Sequence, residues 1–170
     1  MPDTPSKKTV LIIDDEKSIT LLLSAMLKNT YELEIAHDSH EAIVQIHKNP
    51  PDLITLDINM PGLGGDELLS VIRAWKPNVP VLVISARNEK GLQEKCIEKG
   101  ATGFLAKPFE MKDLLIKIES SMNTKVQPIN LSNDIVSEVE LAIATLENKG
   151  LISQEQTKEE IDRVKSHFKI

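Results

Sequence analysis

Apolar residues fall along this chain in two alternating rhythms. Val10-Leu11-Ile12-Ile13 is an unbroken apolar run ending in Asp14-Asp15, the pattern of a strand covered on both faces. Ile19, Leu22, Leu23, Met26 and Leu27 follow at helical spacing and form one apolar stripe. Tyr31, Leu33 and Ile35 alternate with polar residues, predicting a second strand with one less-covered face. Asp38 and Ser39 are N-cap candidates for a helix carrying Ala42, Ile43 and Ile46, which Pro50-Pro51 stops.

The rhythm then repeats. Leu53-Ile54-Thr55-Leu56 predicts a third strand ending at Asp57, and the turn residues Pro61-Gly62-Leu63-Gly64-Gly65 lead into a helix with Leu68, Leu69 and Ile72. Trp75, near the end of that helix, reads as peripheral packing, and Pro77 closes the helix. Val81-Leu82-Val83-Ile84 predicts a fourth strand running into Ser85, and a polar helix from Leu92 to Ile97 ends at Gly100. Gly103-Phe104-Leu105-Ala106 predicts a fifth strand, Lys107-Pro108 a turn, and Met111, Leu114, Leu115 and Ile118 a fifth helix. Strands and helices in strict alternation imply an α/β fold, a five-stranded parallel sheet with helices on both faces. Right-handed crossovers leave few topologies open.

From Asn123 the alternation stops. Residues 1–8 read as a flexible N-terminus, 9–122 as one α/β domain, 123–132 with Pro128 as a polar linker, and 133–170 as a helical tail. Ile135, Val139, Ala142, Ile143 and Leu146 make an amphipathic stripe, and Gly150 fits a position just past a helix C-terminus. Ser153-Gln154-Glu155-Gln156 predicts a capping box for a second helix bearing Ile161, Val164 and Phe168. The two make an αα-hairpin with too few apolar residues for a core of its own. It must pack on its own domain, on a second copy as a homodimer, or on another protein.

Composition narrows the function. Aromatics are only 3% of 170 residues, so the core must be aliphatic. The lone Cys96 excludes an intrachain disulfide and a cysteine-based zinc site. It reads as a small apolar residue in a reducing compartment. No apolar run reaches membrane-spanning length and the N-terminus lacks a signal-peptide segment, so the expected location is cytoplasmic, with no membrane insertion. The net charge is −6, and residues 123–170 carry 6 Lys/Arg against 8 Asp/Glu. Nucleic-acid contact needs the opposite sign, so no DNA-binding output is expected. The histidines His37, His40, His47 and His167 are scattered along the sequence and read as solvated.

In a parallel α/β sheet the chemistry lies beyond the carboxyl ends of the strands. Four predicted strands end in Asp14-Asp15, Asp57, Ser85 and Lys107, so these groups should converge at one edge. Clustered carboxylates repel one another, and a divalent cation resolves the conflict. An oxygen-only donor set with few carboxylates favours Mg²⁺. A lysine ammonium and a serine hydroxyl suit phosphoryl oxygens, and a spare carboxylate can serve as nucleophile, forming an aspartyl phosphate. Each piece alone has a structural explanation: the acids cap a helix or turn, the serine caps a helix, and the lysine is solvated. Their convergence is what points to chemistry.

Residues 9–122 resemble the receiver domain of bacterial two-component response regulators. The matching pieces are Ile13-Asp14-Asp15-Glu16, Asp57-Ile58-Asn59-Met60-Pro61-Gly62 with Gly65, Ser85-Ala86, and Lys107-Pro108-Phe109. They are separated by 42 residues from Asp15 to Asp57, 28 to Ser85 and 22 more to Lys107. The resemblance implies a strand order 2-1-3-4-5 and phosphorylation of Asp57 from the phosphohistidine of a histidine kinase or phosphotransfer protein. It implies Mg²⁺ held by Asp15, Asp57 and the backbone carbonyl of Asn59, with Asp14 acting through water. Lys107 would pair with Asp57 and the phosphoryl group, beside a cis Lys107-Pro108 bond. Ser85 would swing toward the phosphate and Phe104 would be the switch aromatic, repacking without a hydroxyl. Such a protein is a signalling component rather than an enzyme in its own right, and its output is a changed contact with a downstream protein effector. Asn59 and Arg87, two residues beyond Asp57 and Ser85, stand where side chains steer or admit the attacking water; Asn59 is expected to admit it. A haloacid-dehalogenase-like phosphatase would want an acid at position 59 instead, and a purely structural scaffold would not need the acid, hydroxyl and lysine set.

Overall fold

The apolar runs become one sheet and the striped segments its helices. A computed structural model describes residues 7–76, 78–86, 89–126, 140–141, 143–144, 147–148, 150 and 152–168. The elements are β1 (Thr9–Ile13), α1 (Lys17–Leu27), β2 (Glu32–Ala36), α2 (Ser39–Lys48), β3 (Leu53–Asp57) and α3 (Gly65–Trp75). They continue with β4 (Val81–Ser85), α4 (Leu92–Glu98), β5 (Gly103–Ala106), α5 (Met111–Asn123) and α6 (Gln154–Phe168). The sheet is parallel throughout, in the order β2-β1-β3-β4-β5. No helix among the described residues is long and apolar enough to cross a membrane.

The period-2 alternation of each strand sorts its side chains to opposite faces. Leu11, Ile13, Ile54, Leu56, Val81 and Val83 enter one buried cluster with α2 and α3. Val10, Ile12, Leu53, Leu82 and Ile84 enter another with α1 and α5. Every residue of the central strands β3 and β4 is buried, which explains why their sequences are apolar apart from Thr55 and the terminal Asp57 and Ser85. The edge strand is looser: β2 begins at Glu32, Tyr31 lies outside it, and Ile35 is exposed.

Local signals set the helix ends. Asp38 caps α2 by accepting the Glu41 amide at 2.8 Å. At the start of α3, Glu67 accepts the Gly64 amide at 2.8 Å. The capping box of α6 is closed on both sides: Ser153 Oγ accepts the Gln156 amide at 3.2 Å and Gln156 Oε1 accepts the Ser153 amide at 2.9 Å.

In the tail, Glu140, Leu141, Ile143, Ala144, Glu147 and Asn148 are helical, and Gly150 turns the chain at φ +71°. Ile135, Val139, Ala142, Leu146 and the side chains of Val164 and Phe168 lie outside the described residues, as does Pro128. What is described packs on its own domain. α6 lies against α3, Ile143 is fully buried in the α2–α3 cluster, and Ile152 and Ile161 pack on that cluster. The position of Trp75 must be corrected accordingly. It is not peripheral but 3% exposed, because the α2–α3 layer has the tail above it.

Candidate functional site

Parallel strands deliver their carboxyl ends to one edge, and the register makes this concrete. Ile13 pairs with Leu56, Asp57 with Ile84, and Ser85 with Ala106. Asp14, Asp57, Ser85 and Lys107 are therefore each at, or one residue beyond, a strand terminus. The Lys107 amide donates to the Ser85 carbonyl at 2.8 Å, and the Lys107-Pro108 bond is cis.

The two buried aspartates are held in the same way. Oδ1 of Asp14 accepts the Glu16 amide at 2.9 Å, and Oδ1 of Asp57 accepts the Asn59 amide at 3.0 Å. Each carboxylate is thus fixed by a backbone N–H two residues ahead, an Asx-turn arrangement. Their Oδ2 atoms share one cation: Lys107 Nζ lies 2.8 Å from Asp14 and 3.1 Å from Asp57. Asp14 is 2% and Asp57 3% exposed, so this ammonium faces two carboxylates largely out of water.

The electrostatics follow from that placement. Burial pushes the Asp14 carboxyl above its ordinary value, against the pull of Lys107 and the Glu16 amide. Burial alone would lower the Lys107 ammonium, yet Asp14 and Asp57 together raise it above the usual lysine value. The lysine therefore stays charged.

Carboxylate oxygens of Asp14, Glu16 and Asp57 lie within 4.8 Å of one another. This is an oxygen-only set, and its donor chemistry fits a hard divalent cation. Asp15 is exposed on the same turn and is not one of the three acids that converge. Glu16 is the acid the sequence reading passed over; its position opening α1 made it look like a cap. Among the other named residues, Ser85 is fully buried and its Oγ accepts from Asn59 Nδ2 at 3.3 Å. Phe104 is half-buried and packs on the α2–α3 cluster. Arg87 lies outside the described residues.

Two further side chains escaped the sequence reading. The Nδ1 of His37 is 3.4 Å from the Asp14 carbonyl oxygen, because β2 ends beside β1; only the strand order reveals that neighbour. Arg73 is 1% exposed and lies away from the acidic edge. Its Nε donates to the Gly100 carbonyl at 2.6 Å and its Nη1 to the Val79 carbonyl at 2.5 Å. Burial lowers this guanidinium to about 10.

The family model for the response regulator receiver domain matches residues 10–119. Response regulator MprA of Mycobacterium ulcerans is 32% identical over 120 residues, covering 69% of this chain and 52% of that protein. Transcriptional regulatory protein PrrA of Mycobacterium tuberculosis is 32% identical over 129 residues, covering 75% of this chain and 55% of that protein. The chain thus spans about half the length of these curated relatives. Among solved structures, a chain of the CheX–CheY–BeF3–Mg complex from Borrelia burgdorferi superposes with a TM-score of 0.66. The two are 32% identical, over 69% of this chain and 91% of that one.

Proposed function

The chain belongs to the response regulator receiver family, and from that membership we propose that Asp57 accepts a phosphoryl group from a histidine kinase or phosphotransfer protein. The observation that carries this reading is the Lys107 ammonium shared between Asp14 and Asp57 at the strand ends. It positions a carboxylate nucleophile, neutralises its surroundings, and is itself free to follow new negative charge.

An Oδ of Asp57 attacks the phosphorus of the donor's phosphohistidine. The P–N bond breaks, the imidazole leaves with its electron pair, and an acyl phosphate forms. The acidic turn Asp14-Asp15-Glu16, Asp57 and the backbone carbonyl of Asn59 would hold Mg²⁺, which neutralises charge on the transferring group when bound. Lys107 exchanges its bond to Asp57 for one to a phosphoryl oxygen, and the Ser85 hydroxyl donates to another. Moving Ser85 frees it from Asn59 and opens space for Phe104 to repack. A local charge event thereby biases a two-state surface. The output is a contact with a downstream protein effector in the cytoplasm. Residues 123–170 carry more acid than base, which suits protein contact rather than DNA contact.

Incubation with acetyl phosphate and Mg²⁺, followed by peptide mapping, tests the reading. A base-labile adduct on the peptide containing Asp57 is expected, absent in Asp57→Asn and absent with a chelator. No adduct under conditions that modify another receiver would refute it.

A further inference from the structure

Two helices each touch the loop after Asp57 at one end and the tail at the other. At the start of α2, Ser39 Oγ donates to the Leu63 carbonyl at 2.6 Å. In its last turn, His47 Nδ1 lies 3.7 Å from Glu160 Oε1 on α6. At the start of α3, the Gly65 amide donates to the Ile58 carbonyl at 3.2 Å. A Cβ on Gly65 would collide with the Asp57 carbonyl oxygen and the Ile58 Cα, so there is no slack between that helix and the Asp57-Ile58 peptide. Its last residue, Trp75, faces His47 with ring centroids 6.3 Å apart. Trp75 shares a buried cluster with Ile143, and Ile152 and Ile161 pack on that cluster.

We propose that the tail regulates the Asp57 site: seated, it holds α2 and α3 in the resting arrangement of the 58–64 loop, and phosphoryl occupation of Asp57 loosens it. The proposal rests on the reading of Asp57 as a phosphoryl acceptor. Its physical basis is the density of the seat. Ile143 is 0% exposed, and Thr157 and Glu160 are 8% exposed. Packed layers respond to a displaced helix by separating rather than by stretching. A shift of either helix at its loop end therefore opens the seat at its tail end. Linkage makes the effect reciprocal: if the phosphoryl group weakens tail docking, a weakened tail must strengthen phosphoryl binding by the same factor.

Hydrogen exchange of the full-length chain, with Mg²⁺ alone and with Mg²⁺ plus beryllofluoride, tests this. Fluorine NMR reports whether the mimic is bound. Amides of α6 are expected to exchange roughly fivefold or more faster with the mimic. Ile161→Ala and Glu160→Gln, which weaken the seat at a half-buried and a buried position, should both bind beryllofluoride more tightly than the parent chain. Bound mimic with unchanged α6 exchange overturns the tail proposal and leaves the site reading standing. No bound mimic overturns both. Faster exchange that appears only with a doubled mass in light scattering also overturns it, since the coupling would then run through a second copy.

Discussion

Lys107 is the residue on which the resting site depends. Replacing it with Met leaves two buried carboxylates without their cation, and Lys107→Met should cost about 3 kcal/mol at neutral pH. The pH dependence has a definite sign. The folded-state value of Asp14 is raised from 3.8, so the fold loses stability as pH rises above that value and the buried carboxyl ionises. Without the lysine that loss deepens, so the deficit of the variant should shrink on acidification and with added Mg²⁺. Lys107 itself contributes below its ordinary value and ceases to do so only as pH rises through its raised one. Urea titrations across pH, with and without the metal, check each statement. At this scale the meeting of Asp14, Asp57, Ser85 and Lys107 at one edge was legible from their places at strand ends, while Glu16, which joins the acids in place of Asp15, was not. That Lys107 serves Asp14 as well as Asp57 was not, since sequence shows that two groups meet but not how their charges are shared. Nor was the burial of Arg73 legible, because an arginine in a helix's last turn looks like an ordinary exposed charge.

At the scale of elements, one contact fixes the relation of α3 to the site. Gly65 is there because any side chain would strike the Asp57-Ile58 backbone, and its conformation alone does not require glycine. Gly65→Ala should destabilise the chain by about 2–3 kcal/mol and lower Mg²⁺-dependent labelling of Asp57. Thermal unfolding together with acetyl phosphate labelling reads both; full labelling in a folded variant would show that the close approach is dispensable. Strand positions were readable because β1, β3 and β4 are short apolar runs ending at polar residues, and helix positions because the apolar stripe is clean in α2 and α3. The edge strand β2 was read less well. Tyr31 alternates correctly but falls outside the ladder, since on an edge strand only one neighbour enforces the register.

For the whole molecule, the sheet separates two cores, and the described residues of the tail join the one with α2 and α3. Ile143→Ala should cost about 3 kcal/mol and increase exchange in α3 more than in α1, which belongs to the other cluster. Equal loosening on both sides of the sheet would contradict that division. The destination of the tail was not legible in its sequence: two short apolar stripes at helical spacing demand a surface but do not name it. Burial of Trp75 was misread for the same reason, because its cover comes from more than sixty residues along the chain. That cover has an optical consequence. Trp75 is the only indole, and His47 stands beside it. Seated, the tail keeps water from that indole, so the intrinsic glow of the chain reports docking. In Ile143→Ala the emission should shift toward the red, the sign that the tail has come away.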